Sequence, residues 1–503
     1  MATNRYIDTR GRCAAPVTFT EAVVKGLAEG GGLFVPEKFP SVSAEEMERM
    51  LAMDYPERAA LVLSKYFDEY DKDELLSALK EAYSQFDDGD AAPLVKVENG
   101  MFMLELYHGP TCAFKDMALT VLPYLLRKGC DLLGIKETVL ILVATSGDTG
   151  KAALEGFRDR KGVKIMVVYP DDGVSKMQKL QMCTQDGENV NVVAVKGNFD
   201  DCQTTVKRIF HSEECREELK KRGIRLSSAN SINFGRLAPQ IAYYFSAYLD
   251  LVSSEQIRMG DKVDFTVPTG NFGNILAAYY AKQMGLPVGK LVCASNRNNV
   301  LTDFILRGVY DSKRPFFKTM SPSMDILISS NLERLLFEIS GRDAALTAER
   351  MEALVKTGKY SVRAEELKSI REQFYAGYAS EDDTVDCVYE FFTEYGYPMD
   401  PHTGVAMFVA ERYHESLEKE TPPVKPGPMV VVSTASPYKF PQAVYYALTG
   451  NDVKDSFKGI KRINLLTAMK VPESLKEIRY KPIRFKTSVS ADKIFDEVLK
   501  FVD

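Results

Sequence analysis

The sequence predicts an α/β protein in which short parallel strands alternate with helices, behind a helix-rich N-terminal unit. Three observations predict it. Six β-branched runs, at 138–145 (TVLILVAT), 164–170 (KIMVVYP), 191–197 (NVVAVKG), 264–268 (DFTVP), 290–296 (KLVCASN) and 428–434 (PMVVVST), have the continuous apolar character of strands covered on both faces. Helical patterns such as GKAALEGF, INFGRLAPQIAYYFSAYL and NILAAYYAKQMG follow the strands, which implies one open sheet or two such sheets packed as neighbouring domains. The glycine turns ATSGDTG (144–150) and VPTGNFGN (267–274) each lead from a strand into a helix, at the sheet edge where ligands collect in this architecture.

Along the chain, residues 20–84 carry helical patterns (TEAVVKGLA, AEEMERMLAM, KDELLSALKEAYSQF) broken by a turn at Gly30, Gly31 and Gly32. The acidic stretch DDGDAAP (87–93) ends in proline, as domain borders often do, and divides an N-terminal domain, 1–88, from a core, 89–503. Within the core the strand signal fades between about 311 and 400, where SNLERLLFEIS, AERMEALVKTG and the acidic run EDDTVD predict a helical insertion. From 451 onward the pattern is mixed.

Composition narrows the function. The 503 residues carry a net charge of −6, too little positive field for a nucleic-acid partner, so a small-molecule substrate is expected. The eight cysteines show neither CxxC pairs nor Cys/His ligand spacing, which argues against structural zinc or a disulfide framework. The N-terminal MATNRYIDTRGR lacks a signal-peptide pattern and no apolar run approaches the ~20 residues that span a bilayer. A cytoplasmic location without membrane attachment is expected.

The chemistry is carried by HGPTCAFKD, TSGDTG and GNFGN. Lys115 lies beside Ala113 and Phe114, and burial there lowers an amine's pKa towards the range in which it condenses with an aldehyde cofactor. Gly270 and Gly273 permit positive φ and close backbone approach, while Asn271 and Asn274 can bond neighbouring oxygens. With a helix beginning near Ile275, the loop suits a doubly charged phosphate. Ser146, Asp148 and Thr149 surround two flexible glycines at another helix start, where a substrate carboxylate could be held. A Walker-type phosphate loop is the competitor there, but it needs glycine at Thr145 and a hydroxyl at Ala152. Cys112 and His108, three and seven residues before Lys115, could suggest thiol chemistry, which would leave both glycine loops unexplained. Taken together, the lysine and loops describe a pyridoxal phosphate site.

HGPTCAFKD, TSGDTG, GNFGN and STASPYKFP together resemble threonine synthases of the long form found in enteric bacteria and fungi. The likeness runs through YIDTRG (6–11), FTEAVVKGLAEGGGLFVPE (19–37), SSANSINFGRLAPQIAYYF (227–245), SPSMDILISSNLERLL (321–336) and DPHTG (400–404). The resemblance implies a fold type II pyridoxal phosphate enzyme, tryptophan synthase β-like, with an added N-terminal domain. It also implies conversion of O-phospho-L-homoserine and water to L-threonine and phosphate, the last step of threonine biosynthesis. Lys115 would hold pyridoxal 5'-phosphate covalently and act as the base. Gly270, Asn271, Phe272, Gly273 and Asn274 would cradle the cofactor phosphate, and Thr434 would meet the pyridine nitrogen. Asn230, Ser231 and Arg236, in NSINFGR, would hold the substrate phosphate, arginine being suited to bidentate bonding.

Two departures stand out: Ser436 and Tyr438 where the enteric and fungal form reads TAHPAKF, and Asn274 where it has aspartate. They remove any histidine role at position 436 and leave His402, in DPHTG, as a structural or domain-contact residue. Long-form relatives suggest a monomer or weak homodimer. A different pyridoxal lyase, such as a serine or threonine dehydratase, shares the lysine and loops but not NSINFGR or the N-terminal unit. A non-catalytic homologue would not need Lys115, GNFGN and Thr434 together.

Overall fold

The structure is a computed structural model and describes residues 4–98, 100–145, 147–171 and 174–503. The N-terminal unit opens with β1 (Tyr6–Asp8), which pairs antiparallel with β2 (Phe34–Pro36), a pairing that the helical reading of this region did not anticipate. Helices Phe19–Lys25, Ala44–Met50 and Lys72–Tyr83 fall on the named patterns, and a further helix, Tyr55–Ser64, lies between the last two. Three of them begin with reciprocal capping boxes, Thr18 with Glu21, Ser43 with Glu46 and Asp54 with Glu57, each satisfying two otherwise orphaned N–H groups. The unit does not stand apart from the core. Phe19 stacks on Phe67 at 3.9 Å between ring centroids, and Tyr6 meets Phe234 edge-on at 5.1 Å. Phe234 opens the turn of helix that carries Arg236, so aromatic packing in the N-terminal unit fixes a functional segment.

The next strands are β3 (Leu94–Glu98), β4 (Met101–Glu105), β5 (Thr138–Ala144), β6 (Val163–Pro170), β7 (Val190–Val195) and β8 (Ile224–Ser227). They are followed by β9 (Val263–Pro268), β10 (Val288–Ser295), β11 (Val309–Asp311), β12 (Lys359–Ser361), β13 (Phe374–Tyr378), β14 (Met429–Ser433) and β15 (Ser488–Val489). They resolve the choice between one sheet and two. A six-stranded sheet has the order β13-β10-β9-β14-β4-β3, parallel except for the β3–β4 pair, and a five-stranded, wholly parallel sheet has the order β15-β7-β6-β5-β8. β5 and β6 are buried along almost their whole length, as strands covered by helices on both faces must be. Each large aliphatic side chain so covered contributes about 1.5–3 kcal/mol.

The segment 311–400 differs from its reading as a helical insertion. Helices Leu332–Ile339, Ala344–Thr357, Ala364–Gln373 and Glu381–Tyr395 dominate it, but β12 pairs antiparallel with β11 and β13 joins the six-stranded sheet beside β10. The segment therefore completes the edge of the core sheet. The C-terminal region likewise returns to the core, since β15 adds to β7 and helix Ile494–Val502 packs with that sheet. Among the described residues, no helix is long and apolar enough to cross a membrane.

Candidate active site

The carboxyl ends of four parallel strands supply the site. β9 runs into Thr269–Phe272 and then helix Gly273–Gln283; β14 ends beside Thr434; β5 leads to helix Asp148–Phe157; and β8 leads to Asn230 and Ser231. One cavity, of about 90 Å³, is walled by Phe114, Lys115, Thr149, Asn230, Ser231, Arg236, the loop Gly270–Asn274, Ser323, His402 and Thr434. Thr149, Asn230, Ser231 and Asn271 also wall a neighbouring cavity of about 140 Å³. The structure thus brings together all the expected cofactor residues and, of the expected substrate residues, Thr149, Asn230, Ser231 and Arg236. Ser146 lies outside the described residues.

Lys115 opens the short helix Asp116–Leu119. Behind it, helix Asp148–Phe157 approaches so closely that a Cβ on Gly156 would lie 2.0 Å from the Leu119 carbonyl oxygen, and glycine is what lets Asp148 reach the lysine. The Lys115 ammonium is held down to about 8 by burial, with Asp148 opposing the shift and Lys439 and Arg236 adding to it. Cys112, by contrast, is buried with its thiol pushed up to about 12, so thiolate chemistry has no support here.

The glycine loop is braced from outside the cavity. Ser329 Oγ donates to the Gly270 carbonyl (2.9 Å), and the Asn331 backbone N–H and Nδ2 donate to the Asn271 carbonyl (3.1 Å each). A Cβ on Gly270 would lie 3.0 Å from the Ser323 carbonyl oxygen, so close approach is what the first glycine provides. The positive φ expected at the glycines falls instead on Phe272 (φ 62), whose buried ring holds the unfavourable backbone in place. The first turn of the following helix leaves N–H groups without intrahelical acceptors, a ready anion site. Asn274 fixes its orientation by accepting at Oδ1 from Tyr243 and Tyr244 (2.6 Å each), which leaves its buried Nδ2 without a partner among the described residues.

Arg236 faces the same space. It is 3% exposed, its Nη1 donates to the Ala229 carbonyl (2.7 Å), its Nε has no acceptor, and it pairs with no carboxylate among the described residues. Burial lowers its pKa to about 10. A buried guanidinium without an anion is unfavourable unless a ligand brings one.

Asp148 departs from its expected place among the substrate contacts. Its oxygens are engaged by Gln178 Nε2 (2.8 Å), Ser323 Oγ (2.8 Å), Lys439 Nζ (3.1 Å) and Lys115 Nζ (3.6 Å). Burial alone would favour its neutral form, but Lys439 and Lys115 hold the carboxyl far below the usual range. An ionised carboxylate so placed repels a substrate carboxylate.

Sequence reasoning passed over Lys439, Ser323, Gln178, Asn331 and Arg334. Lys439 had a signal, a lysine inside STASPYKFP between a buried strand and a helix; the others had none of their own. His402 is a cavity wall residue: its Nε2 accepts the Ser323 N–H (3.1 Å) and its Nδ1 is bonded to Asp400 (2.6 Å). Ser436 lies instead in a separate cleft beside His108, Glu105 and Tyr397. Arg334 donates to the carbonyls of Phe34 (3.0 Å), Ser231 (3.2 Å) and Ile232 (2.7 Å) and to Asn331 Oδ1 (2.5 Å).

Three family models match the chain: "Threonine synthase N terminus" over residues 5–83, "Pyridoxal-phosphate dependent enzyme" over 90–434 and "Threonine synthase, C-terminal" over 403–498. A threonine synthase of Pseudomonas aeruginosa is 40% identical over 447 residues, covering 89% of this chain and 91% of that protein. Human threonine synthase-like 1 is 40% identical over 449 residues, covering 87% of this chain, which spans only 59% of the human protein. Among solved structures, a PLP-bound threonine synthase from Brucella melitensis superposes with a TM-score of 0.86 at 36% identity, covering 99% of this chain and 100% of that one.

Proposed function

The chain belongs to the threonine synthase family of pyridoxal-phosphate dependent enzymes, and from that premise we propose that it converts O-phospho-L-homoserine and water to L-threonine and phosphate. The observation that carries the reading is the presence of two separate anion sites in one cavity with a depressed lysine. The glycine loop is one, and Arg236 with Asn230 and Ser231 is the other.

The residues fit pyridoxal 5'-phosphate. Asn274 Nδ2 is an orphaned buried donor on the loop, and the close approach at Gly270 keeps the cradle open to backbone N–H groups. Lys115 would hold the cofactor covalently, Gly270–Asn274 its phosphate, and Thr434 its pyridine nitrogen. When bound, the cofactor supplies an electron-accepting ring that stabilises negative charge at the substrate's α carbon.

Lys115 Nζ moves the protons: it takes one from the α carbon and one from the β carbon, and returns one to the γ carbon, which becomes the methyl group, and one to the α carbon, while the proton released by the added water leaves with the phosphate. Arg236, Asn230 and Ser231 hold the substrate phosphate through its departure from the γ carbon, charge-assisted bonds being the strong ones. Thr149 orients the amino-acid end of the substrate.

The same reading carries a division into an N-terminal domain, 1–88, and a catalytic core, 89–503. It also carries a small molecule as the partner, a cytoplasmic location and a monomeric or weakly dimeric state. Equal yields of threonine and phosphate from O-phosphohomoserine, with serine and threonine as controls, are the expected result. Deamination of serine or threonine with O-phosphohomoserine untouched would replace this reading with a dehydratase and remove Arg236 from phosphate binding.

A further inference from the structure

A carboxylate beside a buried amine stabilises the ammonium form and raises its pKa, which would disable Lys115. Asp148 is such a carboxylate, 4% exposed, and it is the one acid within ion-pair distance of Lys115 among the described residues. Yet the Lys115 contact, at 3.6 Å, is the longest of the four that Asp148 receives.

The closer cation is Lys439. It is wholly buried in the turn Pro437–Lys439 that follows β14. Its Nζ donates to the Thr111 carbonyl (2.7 Å) and lies 3.1 Å from Asp148 Oδ1. Thr111 in turn bonds Asp116 through its N–H (2.8 Å) and Oγ1 (2.6 Å), so the lysine is anchored to the loop that carries Lys115. The charged groups facing Lys115 are then Asp148 from the helix after β5, Lys439 from the turn after β14 and Arg236 from the helix after β8. His402, from helix Pro401–Glu418, faces Asp148 and accepts the Ser323 N–H at Nε2. Three cations thus stand against one carboxylate. Lys439 is fixed by two oxygens, at 2.7 Å and 3.1 Å, whereas Lys115 has only the 3.6 Å contact, and burial beside these cations holds its pKa down to about 8.

We propose that Lys439 is a positioning residue which neutralises Asp148 and so leaves the Lys115 amine free to act as nucleophile and base. The proposal deepens the reading of Lys115 given above. Lys439 acts through Asp148 and by direct repulsion of a second ammonium, without bonding to the substrate. Asp148 retains a structural task, binding Gln178 and Ser323, and Lys439 allows that task without the loss of the reactive lysine.

The test is the pH midpoint for acetylation of Lys115 by acetic anhydride in the full-length chain stripped of cofactor, followed by peptide mass spectrometry. The wild-type midpoint is expected at about 8. Lys439→Met raises it by roughly one unit or more, because Asp148 is left to Lys115. Lys439→Arg restores it, and Asp148→Asn lowers it. In the cofactor-loaded enzyme, the acid limb of the pH–rate profile moves to higher pH in Lys439→Met and returns in Lys439→Arg, which a merely structural role would not produce.

An unchanged midpoint in Lys439→Met, or a raised one in Asp148→Asn, overturns the proposal. Should Lys439→Met not fold, Asp148→Asn is compared with Asp148→Asn/Lys439→Met. Loss of the repelling ammonium must still raise the midpoint there, and equal midpoints count against the proposal. Labelling reads the amine alone, so a chain with the expected midpoints that forms no threonine would sink the substrate assignment and leave this inference standing.

Discussion

Arg350 and Arg236 are both buried guanidiniums, and the molecule treats them in opposite ways. Arg350, on helix Ala344–Thr357, is met bidentately by Glu366, at 3.1 Å and 2.5 Å. Arg236 donates to one carbonyl and, among the described residues, to no carboxylate. The first cation brings its own anion and belongs to the scaffold; the second is left for an anion that arrives from outside. The same contrast separates the Arg350–Glu366 pair, closed within one helical segment, from the cavity, where Lys115, Lys439 and Arg236 face Asp148.

The contrast can be broken at its most reactive point by Lys115→Ala, which should lower threonine formation by at least about ten-thousandfold. Borohydride should then no longer fix the cofactor to the chain, while non-covalent cofactor binding persists; substantial remaining turnover would reject Lys115 as the base. Glu366→Gln strikes the scaffold cation. It leaves Arg350 buried without its counter-ion and should destabilise the fold by about 3–5 kcal/mol in urea titrations, with activity per folded molecule unchanged. Arg236→Ala should do the reverse, lowering kcat/KM on the order of a hundredfold while stability holds or rises and the bound-cofactor spectrum is kept. A loss of stability in Arg236→Ala would place it with Arg350 and erase the distinction. At the lower end, Ser43→Ala removes one capping box remote from both cations and should cost about 1 kcal/mol without altering kcat/KM.

What the sequence made legible was local. The runs at 138–145, 164–170, 191–197, 264–268, 290–296 and 428–434 became β5, β6, β7, β9, β10 and β14, because a strand buried on both faces needs an unbroken apolar run. β8 escaped notice because it is four residues long and carries an exposed Arg225; β13 because FYAGY is enclosed by helices; β4 because MFMLE has no β-branched residue; and β3 because LVKVE is five residues long with a lysine between its two valines. The choice between one sheet and two depends on pairing between distant segments, which no local pattern contains.

In the site, Lys115, GNFGN and NSINFGR each announce themselves by composition. Lys439 and Asp148 each sit in a motif, but their pairing is not legible there, because it is an ion pair closed across most of the chain. Asn274 shows the limit within a motif: position suggested a ligand contact, but only the fold reveals that two tyrosine hydroxyls orient it.

Arg334 has a practical bearing on how this protein can be cut and rebuilt. Its guanidinium spans from the Phe34 carbonyl of the N-terminal unit to Ser231, Ile232 and Asn331 at the cavity wall. A fragment beginning at the core would therefore lose one of the acceptors that clamp this side chain, together with the aromatic floor beneath Phe234. Such a fragment is expected to lose the shape of that wall, for which the N-terminal unit serves as a keystone although, among the described residues, it lines no part of the lysine cavity.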